Sequence, residues 1–109
     1  MNKIHLSPEV QNDLNEIKAY ITEELGNEKA AATVIAKITK KIHRLQEHAL
    51  IGTPIAAVTD ANSDERYLVS GNYLTFYHVD DNDVYIDRVL YGRRDYLRIL
   101  FEDIPEENE

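Results

Sequence analysis

The hydrophobic pattern of this chain changes period once, and that change restricts the fold more than any other feature. Up to Leu45, apolar residues return every three or four positions, the repeat of an amphipathic helix; from Arg66 they fall in short β-branched and aromatic runs. Ser7-Pro8-Glu9 supplies an N-cap hydroxyl, a proline for the first helical position and an acid near the positive end of the dipole, so a helix is expected from Pro8. Val10, Leu14, Ile17, Ile21 and Leu25 make its apolar stripe, and Gly26 is placed to stop it. Asn27 can cap a second helix that sets Ala31, Val34, Ile35, Ile38, Ile42 and Leu45 against Lys37, Lys40, Lys41 and Arg44 on its other face. That helix ends before Gly52-Thr53-Pro54, and so short a link between the two predicts an antiparallel helical hairpin.

Residues 3–6 alternate polar and apolar ahead of the hairpin, whereas residues 55–65 lose all pattern and read as a connecting loop. Strands are expected over residues 66–69, 73–79 and 84–91, with turns at Ser70-Gly71-Asn72 and around Asp81-Asn82. Asp95 can cap a short helix over residues 96–101. The expected order is β-α-α-β-β-β(-α), an α+β class in which an antiparallel sheet lays one face on the N-terminal helical hairpin. With 109 residues the chain suits one domain, expected over residues 1–101, and the acidic residues 102–109 read as a frayed tail.

Several chemistries are poorly supplied. There is no Cys, so thiolate nucleophiles, disulfides and zinc ribbons are excluded, in keeping with a reducing, cytoplasmic setting. His5, His43, His48 and His78 lie on three elements without HxxxH or HExxH spacing, and no metal site and no cofactor are expected. Four glycines are too few for a dinucleotide or phosphate loop, and neither Ser7 nor Ser70 has the context of a nucleophile elbow. No window approaches a membrane span and the first residues lack a secretory pattern, so no membrane partner is expected.

The formal net charge of −8 argues against nucleic acid only as an average. Glu102, Asp103, Glu106, Glu107 and Glu109 carry five of those charges, leaving −3 for everything before them. Residues 9–28 hold six acids and one base, while residues 29–48 hold Lys29, Lys37, Lys40, Lys41 and Arg44 against Glu47. A second basic block contains Arg88, Arg93, Arg94 and Arg98 with Asp95. Its guanidinium groups suit bidentate contacts to carboxylate or phosphate; the ordinary alternative for such an arginine is a salt bridge inside the fold, for instance to an acid of the first helix. Six of the seven tyrosines, including Tyr73, Tyr77, Tyr91 and Tyr96, lie in the strand-rich half. They offer stacking area and a hydroxyl to a partner, although sheet packing accounts for most tyrosines in such places.

The element order, the opening Ile4-His5-Leu6-Ser7-Pro8-Glu9, the run from Arg66 to Val79 and above all Ile86-Asp87-Arg88-Val89-Leu90-Tyr91-Gly92-Arg93-Arg94-Asp95 resemble the RelE/ParE superfamily, toxins of bacterial type II toxin-antitoxin systems. The likeness spans residues 3–101. It implies a growth-inhibiting, plasmid-stabilising toxin neutralised by a cognate antitoxin whose extended or helical segment wraps the helices and sheet. One branch cleaves messenger RNA on the ribosome without a metal; the other, ParE-like, inhibits DNA gyrase by binding. Cleavage needs a base, an acid and cations around the pentacovalent phosphate. In this chain the resemblance leaves Arg66, Arg93, Arg94 and Tyr96 for those catalytic roles. Leu74 stands where the cleaving branch has an arginine, and no Lys follows Lys41. His78, with an ordinary pKa near ~6.5, has the chemistry of a base but no sequence signal that places it. The ParE-like branch is therefore preferred, with Arg88, Arg93, Arg94, Tyr73, Tyr77 and Tyr91 as candidate binding residues, although that branch commonly has His where Tyr91 stands. The alternatives are a ribosome-dependent endoribonuclease and a non-toxic binding or regulatory relative.

Overall fold

The computed structural model describes residues 1–57 and 63–92. β1 (Lys3–Leu6) leads into α1 (Pro8–Ala19), which continues as a π-helical turn over Tyr20–Glu24. α2 (Glu28–Arg44) is followed by the two-residue β2 (Thr53–Pro54) and a 3-10 turn at Ile55–Ala57, then by β3 (Arg66–Ser70), β4 (Tyr73–Asp80) and β5 (Asp83–Tyr91). The α+β class and the helical hairpin expected from the sequence are both present. The expected terminal helix, the division at residue 101 and the acidic tail lie outside the described residues.

The helix ends are built by the residues that the sequence singles out. Ser7 Oγ accepts from the Val10 N–H at 3.1 Å with Pro8 at the first helical position. Gly26 takes φ +62°, the left-handed conformation that lets the chain reverse, and Asn27 Oδ1 accepts from the Ala30 N–H at 2.9 Å to open α2.

The sheet has the order β1-β5-β4-β3-β2. Its hairpins are antiparallel as expected, but β1 runs parallel to β5, with Lys3 beside Asp83 and Leu6 beside Ile86. The sheet is thus mixed. The chain leaves β1 into α1 and returns through the whole hairpin and three further strands before reaching β5, a route that permits a parallel pair. β2 is an addition to the expected order, formed by Thr53 and Pro54 between the end of the second helix and the residues read as loop.

One core lies between helices and sheet: Val10, Ile38, Ile42, Leu45, Leu68, Tyr77, Val84, Ile86 and Val89. A smaller one, Ile55, Tyr67, Leu74 and Phe76 with Leu90 against it, occupies the opposite face. The sheet is therefore buried in part on both faces rather than on one. A bulge in the β4–β5 ladder makes this possible, because Tyr77 pairs with Ile86 while Phe76 pairs with Arg88, leaving Asp87 as the extra residue. The slip puts Ile86 and Val89 in the same core although they are three apart, and turns Asp87 outward beside His78.

Candidate functional site

Two surfaces carry more chemistry than the fold itself needs. The first is a groove of about 810 Å³ walled by α1 and its π-helical turn, by α2 and by the β4–β5 hairpin. Its apolar lining includes Ile17, Tyr20, Leu25, Val34, Tyr73 and Tyr91. Tyr91 is 70% exposed, Leu25 61% and Tyr20 55%, so a residue expected to pack under the hairpin, Leu25, instead faces the open groove. The Tyr73 and Tyr91 rings meet edge to face at 5.5 Å, which holds both at the groove wall. Burial, and then the neighbouring Tyr91 and Tyr20, raise the Tyr73 hydroxyl above its ordinary pKa, so it stays a neutral donor.

Arg88 and Asp13 close one end. Asp13 is 7% exposed and accepts three hydrogen bonds, from Arg88 Nε at 2.8 Å, Arg88 Nη2 at 2.9 Å and the Val89 N–H at 2.9 Å. Burial pushes its carboxyl up, but the Arg88 hydrogen bond, the Val89 N–H and the Arg88 charge outweigh it and leave the pKa lowered. Arg88 takes the intramolecular pairing weighed for it from sequence, with an acid of the first helix, and lines the groove in that pair.

The candidate residues separate clearly. Tyr73, Tyr91 and Arg88 come together in the groove. Tyr77 does not: it is fully buried, its hydroxyl donating to the Ala49 carbonyl at 2.8 Å and accepting from the Gly52 N–H at 2.9 Å. Burial raises its pKa further, in keeping with a structural hydroxyl. Arg66 donates to the Gly52 carbonyl at 2.8 Å and the Leu50 carbonyl at 3.2 Å, and so braces the same segment. Arg93, Arg94 and Tyr96 lie outside the described residues.

The second surface is on the outer face of the sheet, where three strands meet. Arg66 pairs with Tyr77, so Glu65, one residue earlier, lies opposite His78, and the bulge brings Asp87 in from the other side. His78 Nδ1 is 2.6 Å from Asp87 Oδ2 and 3.2 Å from Glu65 Oε2. Burial together with the hydrogen bond and charge of Asp87 pushes Glu65 up to about 8, against the opposing pull of His78. Burial alone would lower His78, yet the hydrogen bond and charge of Asp87 and the charges of Glu65 and Asp64 raise it. The ring of His78 stacks on Tyr85 at 5.1 Å and 17°, and His5 stacks on the other face of the same tyrosine at 4.8 Å and 18°. Sequence spacing has no signal for this trio, because its members come from β4, β5 and the residue just ahead of β3, and one of them is positioned by a bulge.

The model of the ParE toxin of the type II toxin-antitoxin system parDE matches residues 4–96, most of the chain. The chain belongs to the ParE toxin family. A ParE-family chain can be compared directly with the solved chromosomal ParDE toxin-antitoxin system of P. aeruginosa, to which it is 17% identical with a TM-score of 0.69. The superposition covers 85% of this chain and 98% of that one, which shows a common fold. No curated protein matches the sequence significantly. Among the described residues, no helix is long and apolar enough to cross a membrane.

Proposed function

We propose that this ParE-family toxin inhibits growth by binding a protein target, DNA gyrase, and that a cognate antitoxin silences it by laying an amphipathic segment along the groove between α1, α2 and the β4–β5 hairpin. The observation that carries the antitoxin half is the groove itself, with Tyr20, Leu25 and Tyr91 exposed in one apolar channel. Aromatic anchors of this kind bind by filling pockets, and a helix or extended strand presenting apolar residues at i, i+3 and i+4 is the natural occupant of such a channel. Arg88 and Asp13 at one end and Glu16 at the rim supply polar groups that fix register.

Inhibition by binding is supported by what the cleaving alternative lacks. Arg66, one of its four candidate residues, spends its guanidinium on two backbone carbonyls of the 50–52 segment, and no lysine follows Lys41 to assist a phosphate. The test is direct. Purified toxin should inhibit DNA supercoiling by gyrase, and the product of the adjacent small gene should relieve that inhibition. Tyr91→Ala combined with Leu25→Glu should weaken antitoxin capture at least tenfold while leaving the circular dichroism spectrum unchanged. Undiminished gyrase activity together with transcript cleavage in a translating extract would replace this reading with the endoribonuclease.

A further inference from the structure

We infer that Glu65, His78 and Asp87 form a binding site for a divalent transition cation of the Zn²⁺ type on the outer face of the sheet, on the side opposite the helices. One carboxylate oxygen from each acid and Nδ1 of the imidazole all lie within 4.8 Å of one another. Donors in a tetrahedral site with bonds of about 2.0–2.1 Å stand roughly 3.4 Å apart. The Glu65–His78 separation of 3.2 Å already matches that spacing, and the His78–Asp87 separation of 2.6 Å needs to open by less than an ångström. The third separation, between the Glu65 and Asp87 carboxylates, lies within 4.8 Å and has to close on binding.

The ligand set has the right chemistry as well. Once binding has displaced the protons held within the trio, two carboxylates and one neutral imidazole balance a 2+ charge, and the nitrogen donor favours Zn²⁺ or its neighbours over the all-oxygen sites of Mg²⁺ and Ca²⁺. β4 and β5 hold His78 and Asp87, and Glu65 stands immediately ahead of β3. Glu65 is fixed on both sides of its peptide, its N–H donating to Ser63 Oγ at 3.0 Å and its carbonyl accepting from the Ile55 N–H at 2.9 Å. The ring of His78 is set by its stack on Tyr85, and Asp87 is set by the bulge, whose carbonyl accepts from Ser7 Oγ at 3.1 Å. Ligands positioned in this way by their surroundings lose little freedom on binding a metal. The Glu65 side chain is 18% exposed while those of His78 and Asp87 are about a third exposed, at 34% and 33%, leaving an entry path and room for a water at a fourth position.

A second His–acid pair on the same face provides an internal control. His5 Nε2 lies 2.8 Å from Asp83 Oδ1 but has no third ligand beside it among the described residues, and both side chains are more exposed, at 45% and 39%. The decisive experiment is a calorimetric titration of the full chain with Zn²⁺, paired with Co²⁺ binding followed by visible absorption and with Mg²⁺ as the unreactive cation. The wild type should bind one Zn²⁺, rise in melting temperature when it does so, and give the intense Co²⁺ spectrum of a low-coordinate N/O site. Loss of an outer partner of a metal ligand costs 10–100-fold, so Glu65→Gln, His78→Gln and Asp87→Asn should each weaken binding at least about 100-fold. Asp83→Asn should bind like the wild type. All four variants change few atoms, and their melting temperatures without metal report that they fold. Absence of binding by the folded wild type, binding that survives all three ligand variants, or equal loss in Asp83→Asn would overturn the site.

Discussion

At the scale of single residues, the crossing from α2 to the sheet depends on one hydroxyl and one missing methyl group. Tyr77 Oη bonds the Ala49 carbonyl and the Gly52 N–H, and a Cβ on Gly52 would lie 2.5 Å from that oxygen and 2.9 Å from the Tyr67 carbonyl. Glycine is needed there for close approach, not for an unusual φ. Gly52→Ala should therefore cost about 1–3 kcal/mol as an overpacked site, and Tyr77→Phe about 1–3 kcal/mol by stranding two backbone groups. Because both variants break the same contact, the double variant should lose clearly less than the sum, which urea denaturation with an unchanged m-value measures. Full additivity would show that the two residues act independently. Tyr77 also marks a limit of the sequence: seven tyrosines have the same chemistry, and only the bond to residues 49 and 52 tells this one from Tyr91, which stands open to a partner.

Between elements, the long strand β5 outruns its neighbour, and α1 supplies what β1 cannot. β1 pairs with β5 only as far as Ile86. Beyond that point Ser7 Oγ donates to the Asp87 carbonyl and Asp13 accepts from the Val89 N–H, so the N-cap and a side chain of the second turn of α1 take over the strand edge next to the bulge. Asp13→Ala should cost about 1–3 kcal/mol, most of it from the Val89 N–H left unpaired, with Arg88 adding little because its side chain is 48% exposed. The sign of the pH dependence follows from the lowered carboxyl. Its extra stability is fully present above the unfolded pKa of about 3.9 and is lost as pH falls through the lower, folded value. The stability gap between wild type and Asp13→Asn should accordingly be widest at neutral pH and close below about pH 4; a gap that widens in acid would contradict the pairing. Local features of these elements were legible beforehand, since Ser7, Pro8, Gly26 and Asn27 cap or stop helices through residues within four positions of themselves. The parallel β1, the two-residue β2 and the Asp87 bulge were not, because each depends on partners far away in the chain. The same reasoning explains the sites: Tyr73 and Tyr91 could be picked out one at a time, whereas the groove between them and α1, and the meeting of Glu65 with His78 and Asp87, exist only once three strands have found their register.

Across the whole molecule, the order β1-β5-β4-β3-β2 puts strands joined by two-residue turns next to each other at the middle of the sheet and the most distant partner at its edge. β4 and β5 join through Asp81 and Asn82, with Asp81 at φ 57°, so their ladder closes across two residues. Lys3 and Asp83, by contrast, are 80 positions apart in the chain and must close nearly the entire domain to pair. Loop closure charges that ordering cost before the contact is formed, which makes β1 the last strand to dock and the first to leave. Native-state hydrogen exchange should then show a gradient: amides of Tyr77 and its ladder neighbours in β4 exchanging only by global unfolding, those of β1 and the two-residue β2 opening at lower free energy. The gradient bears on both surfaces. The groove is bounded by α1, α2 and the centre of the sheet, and the outer trio sits on β4 and β5 with Glu65 just ahead of β3, so neither takes a lining residue or a member from β1. Exchange at β1 as slow as at β4 would mean that the sheet opens as one unit and that the 80-residue closure is complete in every partly open state.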